Sequence, residues 1–142
     1  MKRKILVILG IFIIILIFVV GLLYNYDKEV KKAQSFNQQY EAYYEKTILG
    51  TDLATLLNKV ADYNEKSNIE KDDNNRYYIE TGNSISIEIK FLEKEEAVKM
   101  EDILLQDIEN FIKYYASSSF KCTEIEYHEE NRQVKSLYFE QV

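Results

Sequence analysis

The sequence predicts an α+β protein in which an N-terminal transmembrane helix continues into a long amphipathic helix, followed by a small sheet-containing domain. Three observations predict this class: an uninterrupted apolar run over 5–23, apolar residues spaced by three and four over 24–49, and strict alternation over 84–92. The 142 residues therefore divide into a basic cytoplasmic tail (1–4), the transmembrane helix (5–23), an amphipathic helical rod (24–49) and a small acidic α+β domain (50–142). The domain is expected to follow the order α-β-β-α-β-β, with a roughly four-stranded antiparallel sheet.

The apolar run from Ile5 to Leu23 contains no charged or polar side chain. Its length is close to the roughly 20 residues that a helix needs to cross a bilayer. A cleaved signal peptide is the alternative, with Val19 and Gly21 at the −3 and −1 positions of a cleavage site. The long apolar core and the lack of an A-x-A ending favour an uncleaved anchor.

Charge predicts the orientation and excludes one class of partner. Lys2, Arg3 and Lys4 precede the run, whereas the lysines that follow it are accompanied by Asp27 and Glu29, so we expect the N-terminus inside and the domain outside the cytoplasm. Without the three leading cations, 15 of the 18 basic residues remain against 24 acidic ones, a net charge of about −9 that would repel phosphate backbones. No nucleic-acid partner is predicted.

An amphipathic stripe follows the apolar run with no glycine or proline to interrupt it. It comprises Tyr26, Val30, Ala33, Asn37, Tyr40, Tyr44 and Thr47, widened by Phe36 and Tyr43. The spacing predicts that one rod continues from the transmembrane helix. The stripe packs either on the chain's own domain or on another subunit as a coiled coil. Its aromatic members, Phe36, Tyr40, Tyr43 and Tyr44, are therefore the candidate partner interface.

The first half of the domain is expected to be a helix and a hairpin. Gly50 breaks the rod, and Thr51 or Asp52 is expected to cap a second helix that ends near Glu65 to Ser67, with apolar residues Leu53, Leu56, Leu57, Val60 and Ala61 on one face. After a polar loop over 67–75, a strand over 76–81 and the Gly82-Asn83 turn lead into a strand over 84–92 that buries one face and leaves the other wet.

The second half repeats this pattern. Helical spacing over about 95–117 predicts a third amphipathic helix, with acidic residues crowded at its N-terminal end. Strands over 120–128 and 134–141 then form a hairpin. Because the inward phase slips between Cys122 and Ile125, we expect a bulge near Thr123 or Glu124.

No pattern of residues predicts catalysis, a cofactor, a metal or a small-molecule substrate. Glu124, Glu126 and His128 alternate along one strand, but no second His or Cys completes a metal shell, so a solvated strand face is the better interpretation. Asp72-Asp73-Asn74-Asn75 begins like a calcium loop but lacks the later glycine and glutamate, which favours a polar turn. Cys122, the only cysteine, is predicted to be a buried small hydrophobe.

A basic N-terminus, an apolar helix running into an amphipathic rod and an antiparallel sheet together resemble type IV pilins and pseudopilins in layout. MKRKILVILGIFIIILIF has no Gly-Phe junction after the basic leader and no Glu five residues into the apolar run, so no functional residue is carried over from that family.

Two functions remain open. The chain is either a non-enzymatic structural or assembly subunit of a bacterial cell-envelope complex, possibly pilin-like and with protein partners or self-association, or an anchored ligand-binding or sensor module. The loop over 67–75, the wet face over 84–90 and the Glu124, Glu126 and His128 face are the candidate surfaces of the second.

Overall fold

Helix α1 (Lys2–Glu41) begins the chain in a computed structural model that describes residues 2–79 and 81–142. Every residue from Arg3 to Glu29 is exposed, so the apolar half of α1 projects away from the domain. Among the described residues, this is the one helix long and apolar enough to cross a membrane. In the second half, Ala33, Asn37 and Tyr40 lie on one face and are buried. The stripe therefore packs on the chain's own domain.

The prediction that the rod extends to residue 49 is wrong, because α1 ends at Glu41. The amides of Tyr43 and Tyr44 bond three residues back, which tightens the chain after the last helical turn. Glu45 then adopts a positive φ of 56°, and its amide donates to the carbonyl of Cys122 at 2.9 Å. Strand β1 (Thr47–Leu49) follows. The local pattern predicted that the helix continues through these residues, but the long-range bond to Cys122 places them beside a later strand instead.

Helix α2 (Gly50–Lys66) confirms the predicted second helix and its end. The predicted cap at Thr51 or Asp52 is wrong, because the N-cap is Leu49 and no described side chain caps the helix. Its apolar face is buried, and Asn64 adds a polar link from this face to the sheet: its side chain accepts from the Ile85 amide at 2.9 Å and donates to the Ile85 carbonyl at 2.7 Å. A Cβ at Gly50 would overlap the backbone carbonyl of Tyr115. This position therefore needs glycine for close packing against the end of a later helix.

The strands described form one mixed sheet in the order β1-β4-β5-β2-β3. They are β1, β2 (Ser86–Lys90), β3 (Val98–Lys99), β4 (Ser119–Tyr127) and β5 (Val134–Gln141). The α+β class is confirmed, but the four-stranded antiparallel sheet is wrong, because β2 and β5 run parallel. This register sets Ile87 beside Leu137 and Ile89 beside Phe139, which aligns the buried apolar side chains on one face.

Among the described residues of 76–81 and 84–92, the predicted hairpin does not form. In the described part of this region Tyr77 makes only an isolated bridge with Lys71, and Glu80 lies outside the described residues. The alternation over 84–92 is nevertheless confirmed, since Ile85, Ile87, Ile89 and Phe91 are buried. The wet face is only partly wet, because Ser84 and Ser86 are buried too.

The single helix predicted over 95–117 is wrong, because three elements occupy that span: β3, α3 (Met100–Leu105) and α4 (Ile108–Tyr115). Asp107 separates the helices with a positive φ of 75°, and its carboxylate accepts from the Glu109 amide at 3.1 Å. Because aspartate is a favoured N-cap residue, Asp107 begins α4 and does not extend α3.

The hairpin of β4 with β5 is confirmed, and so is the bulge, which shifts the register between Cys122 and Glu124. The apolar face of the sheet and the helices enclose the core, where the rings of Phe91, Phe111, Tyr115 and Phe120 lie within 6.3 Å of one another. The end of α1 adds Tyr40, whose ring is 5.3 Å from that of Phe36.

Candidate interaction surface

The junction between α1 and the domain is held by one buried polar side chain. Asn37 donates to the carbonyl of Arg132 at 2.8 Å and accepts from the amide of Val134 at 2.9 Å. These backbone groups lie at the start of β5, so the hairpin is bonded directly to the helix. Because buried backbone groups need partners, this contact fixes the rotation of α1 against the sheet.

The four candidate interface residues have different environments. Tyr40 is 1% exposed and offers no surface to a partner. Phe36 and Tyr43 are half-buried, with rings 5.1 Å from Tyr63 and 6.5 Å from Phe139 respectively. Tyr44 is 53% exposed. An interface at this stripe stays a prediction, and its accessible part is centred on Tyr44.

Tyr44 borders a cleft that the sequence pattern did not single out. The cleft has a volume of about 380 Å³ and is lined by Glu41, Tyr44, Thr123, Glu124, Ile125 and Tyr127. Across it, the Tyr127 hydroxyl donates to the Glu41 carboxylate at 2.9 Å. Partial burial and this carboxylate raise the pKa of Tyr127 to about 12. The cleft thus joins the end of α1 to the bulged part of β4.

The side chains of Glu124 and Glu126 make β4 acidic beside β5. Glu124 lies beside Tyr138, and Glu126 beside Ser136, in the register with β5. Burial, followed by the charges of Glu126 and Glu88, raises the pKa of Tyr138. Three carboxylates therefore surround one phenol on this sheet face.

His128 does not share that face. It is buried, and its Nε2 lies 2.7 Å from the carbonyl oxygen of Ser84, so it ties the hairpin to the residues before β2. Within residues 2–79 and 81–142, no three His, Cys, Asp or Glu side chains group closely enough to hold a metal ion.

The other sequence-predicted positions have structural roles. The Asp72 carboxylate accepts from the amides of Asn74 and Arg76, both at 2.9 Å, which makes 72–76 the predicted polar turn. Cys122 is fully buried, and burial raises the pKa of its thiol to about 11. The prediction of a buried cysteine is confirmed.

A second cleft, of about 410 Å³, opens where α3 and α4 separate. Phe91, Ile103 and Phe111 form its apolar side, and the polar groups that line it include Asp102, Asp107 and Asn110. Asp102 also forms a two-point ion pair with Arg76, at 3.0 and 3.1 Å. Apolar walls with a few polar groups are typical of small-ligand sites.

The chain matches no protein-family model, and comparisons with the curated proteins and with the solved structures found no match to it. The layout resemblance to type IV pilins therefore stays a prediction.

Proposed function

We propose that this chain is a membrane-anchored, non-enzymatic structural or assembly subunit of a bacterial cell-envelope complex. In this proposal residues 5–23 cross the bilayer, the domain lies outside the cytoplasm, and partners bind the domain and the end of α1. The observation that supports it is the continuity of α1 from the apolar run into the buried contacts of Ala33, Asn37 and Tyr40.

Continuity has a geometric consequence. Ala33 lies ten positions after Leu23 along the helix, a rise of about 15 Å, and α1 continues between them without a break. The domain is thus held close to the bilayer at one height and one rotation. A rigid mount of this kind serves an assembly that must align several proteins, whereas a flexible linker is enough to tether an independent domain.

Photo-crosslinking in the native membrane tests this function. A benzoylphenylalanine at exposed Tyr44 is expected to capture a discrete protein partner, while the same group at exposed Tyr114, on α4, serves as the matched position away from the α1 junction. Protease shaving of whole cells should cleave the domain. Failure to capture any protein from either position, together with a purely monomeric solubilised chain, would contradict the proposal.

The cleft between α3 and α4 favours a second candidate, an anchored ligand-binding or sensor module. Its apolar side and adjacent carboxylates suit a small ligand with an apolar body and a polar group. Charge reversal at Asp107 and lysine at Asn110 would abolish a phenotype that depends on this cleft. Such variants would leave crosslinking from Tyr44 unchanged, which separates the two functions.

A further inference from the structure

The outer edge of β4 is only partly covered. β1 pairs with Ser119, Phe120 and Lys121, and a bridge from Tyr44 extends the coverage to Cys122. β4 continues to Tyr127, with β5 along its other edge. In the part of the chain that is described, no strand pairs with the outer edge of 123–127. Unpaired amides and carbonyls along a strand edge are a template for another strand.

Aromatic side chains lie at this edge. Tyr44 is 53% exposed and Tyr127 is 39% exposed, and the cleft of about 380 Å³ lies between them over Ile125. An added strand would therefore gain an apolar contact as well as backbone bonds. Strand addition depends on this combination, because backbone bonds give affinity and pockets select alternate side chains.

The charges at the edge favour one kind of occupant. Glu124 and Glu126 alternate along β4, and Glu41 lines the cleft together with Glu124. If a second copy of the chain paired antiparallel about Ile125, Glu124 of one copy would face Glu126 of the other. Like charges directly opposite each other destabilise a strand pair. The occupant that fits is an extended segment with basic residues.

We propose that the outer edge of β4, from Thr123 to Tyr127, binds an extended basic segment of a partner protein by strand addition. Basic side chains at alternate positions face Glu124 and Glu126, and the apolar side chain between them fills the cleft between Tyr44 and Tyr127. The inference rests on the proposed function, for which it supplies a contact surface and the chemistry of the partner.

Peptide binding to the full chain in phosphatidylcholine nanodiscs tests the inference. The probe is a fluorescein-labelled Lys-Val-Lys-Val-Lys-Val peptide, followed by fluorescence anisotropy. The double variant Glu124→Lys/Glu126→Lys is expected to weaken binding about tenfold, because two attractions become repulsions. The control Glu70→Lys/Glu96→Lys makes the same change in net charge at exposed positions and should bind like the unaltered chain. Unchanged melting temperatures show that both variants fold.

Backbone pairing is tested separately with N-methylated peptides. Alternate amides of an added strand point towards β4, so methylation of one alternate set should abolish binding while methylation of the other set preserves it. The inference is overturned by equal binding of both sets, by an equal loss in the control variant, or by no binding of the unmodified probe. If crosslinked partners persist in membranes while the probe does not bind, the edge site fails and the proposed function stands. If the probe binds but no partner is crosslinked in membranes, the edge site stands and the proposed function fails.

Discussion

The two halves of α1 share one continuous helical backbone but differ in what surrounds them. From Ile5 to Leu23 every side chain is exposed, although nearly all are large and apolar. From Val30 to Tyr40 the helix carries mostly polar residues, yet it buries Ala33, Asn37 and Tyr40. Burial along α1 therefore depends on which elements lie beside each half and not on the polarity of its residues. The first half lacks a protein partner within the described chain and matches a bilayer in composition, whereas the second half is part of the domain core.

The largest effect is expected from making the first half polar. Ile13→Arg/Ile17→Arg should remove the chain from the membrane fraction, because each arginine near the centre of a spanning helix costs about 2.5–3.5 kcal/mol. Ser35→Arg/Gln39→Arg, on exposed positions of the second half, is the matched control and should leave the chain in the membrane. Carbonate extraction followed by blotting measures both. If the first variant stayed in the membrane fraction, the first half of α1 would not be the membrane anchor.

Replacing one tyrosine in each half of α1 compares how much each half contributes to the free energy of unfolding. Tyr40→Ala should lower the free energy of unfolding of the domain by about 3–5 kcal/mol, because it leaves a cavity under Phe36. Tyr24→Ala, at a tyrosine that is 70% exposed on the same helix, should change it by less than about 0.5 kcal/mol. Denaturant unfolding in detergent gives both values. Similar losses in the two variants would contradict the assignment of Tyr40 to the core.

Asparagine truncation tests the polar junction. Asn37→Ala leaves the Arg132 carbonyl and the Val134 amide without their partner, and we expect a loss of about 1–3 kcal/mol. Asn25→Ala removes an exposed amide from the same helix and should be neutral. Hydrogen exchange should report faster exchange at Val134 in the first variant only. Unchanged protection there would show that Asn37 does not hold the hairpin.

The smallest effect is a pH dependence. Burial, followed by the nearby Tyr63 and Tyr43, raises the pKa of Tyr40 from its ordinary value of 10.0 to about 12. The neutral phenol therefore contributes stability that is fully present below about pH 10 and is lost as pH rises towards 12. Tyr40→Phe should flatten the fall in unfolding free energy between pH 10 and 12 by about 1–2 kcal/mol. An identical pH profile for the variant would place Tyr40 in solvent.

Local patterns predicted the parts of the fold that local forces determine. The alternation of β2, the apolar face and the end of α2, and the bulge in β4 follow from side-chain spacing. Long-range pairing decided the rest. The bond from Glu45 to Cys122 follows the end of α1, and the parallel pairing of β2 with β5 joins segments about 50 residues apart. No pattern within either segment specifies such a partner.

The candidate surface was predicted in part for the same reason. Tyr44 follows from the stripe on the rod, but the sequence pattern assigned neither Tyr127 nor Glu41 to a site. The contact between Tyr127 and Glu41 depends on how α1 lies against the hairpin. Asn37 fixes that position through a bond to Val134, which is nearly a hundred positions away. The one local signal was the slip of phase near Thr123, which indicates where β4 bends.

Electron spin resonance distance measurement tests whether α1 is one rigid helix that holds the domain in a fixed orientation. Spin labels at Lys28→Cys and Asn58→Cys, both exposed, are placed on either side of the junction in a Cys122→Ala chain reconstituted in nanodiscs. A continuous helix bonded to the domain predicts a single narrow distance distribution that broadens in Asn37→Ala. A broad or two-peaked distribution in the chain that retains Asn37 would show a hinge between the two halves and contradict the account.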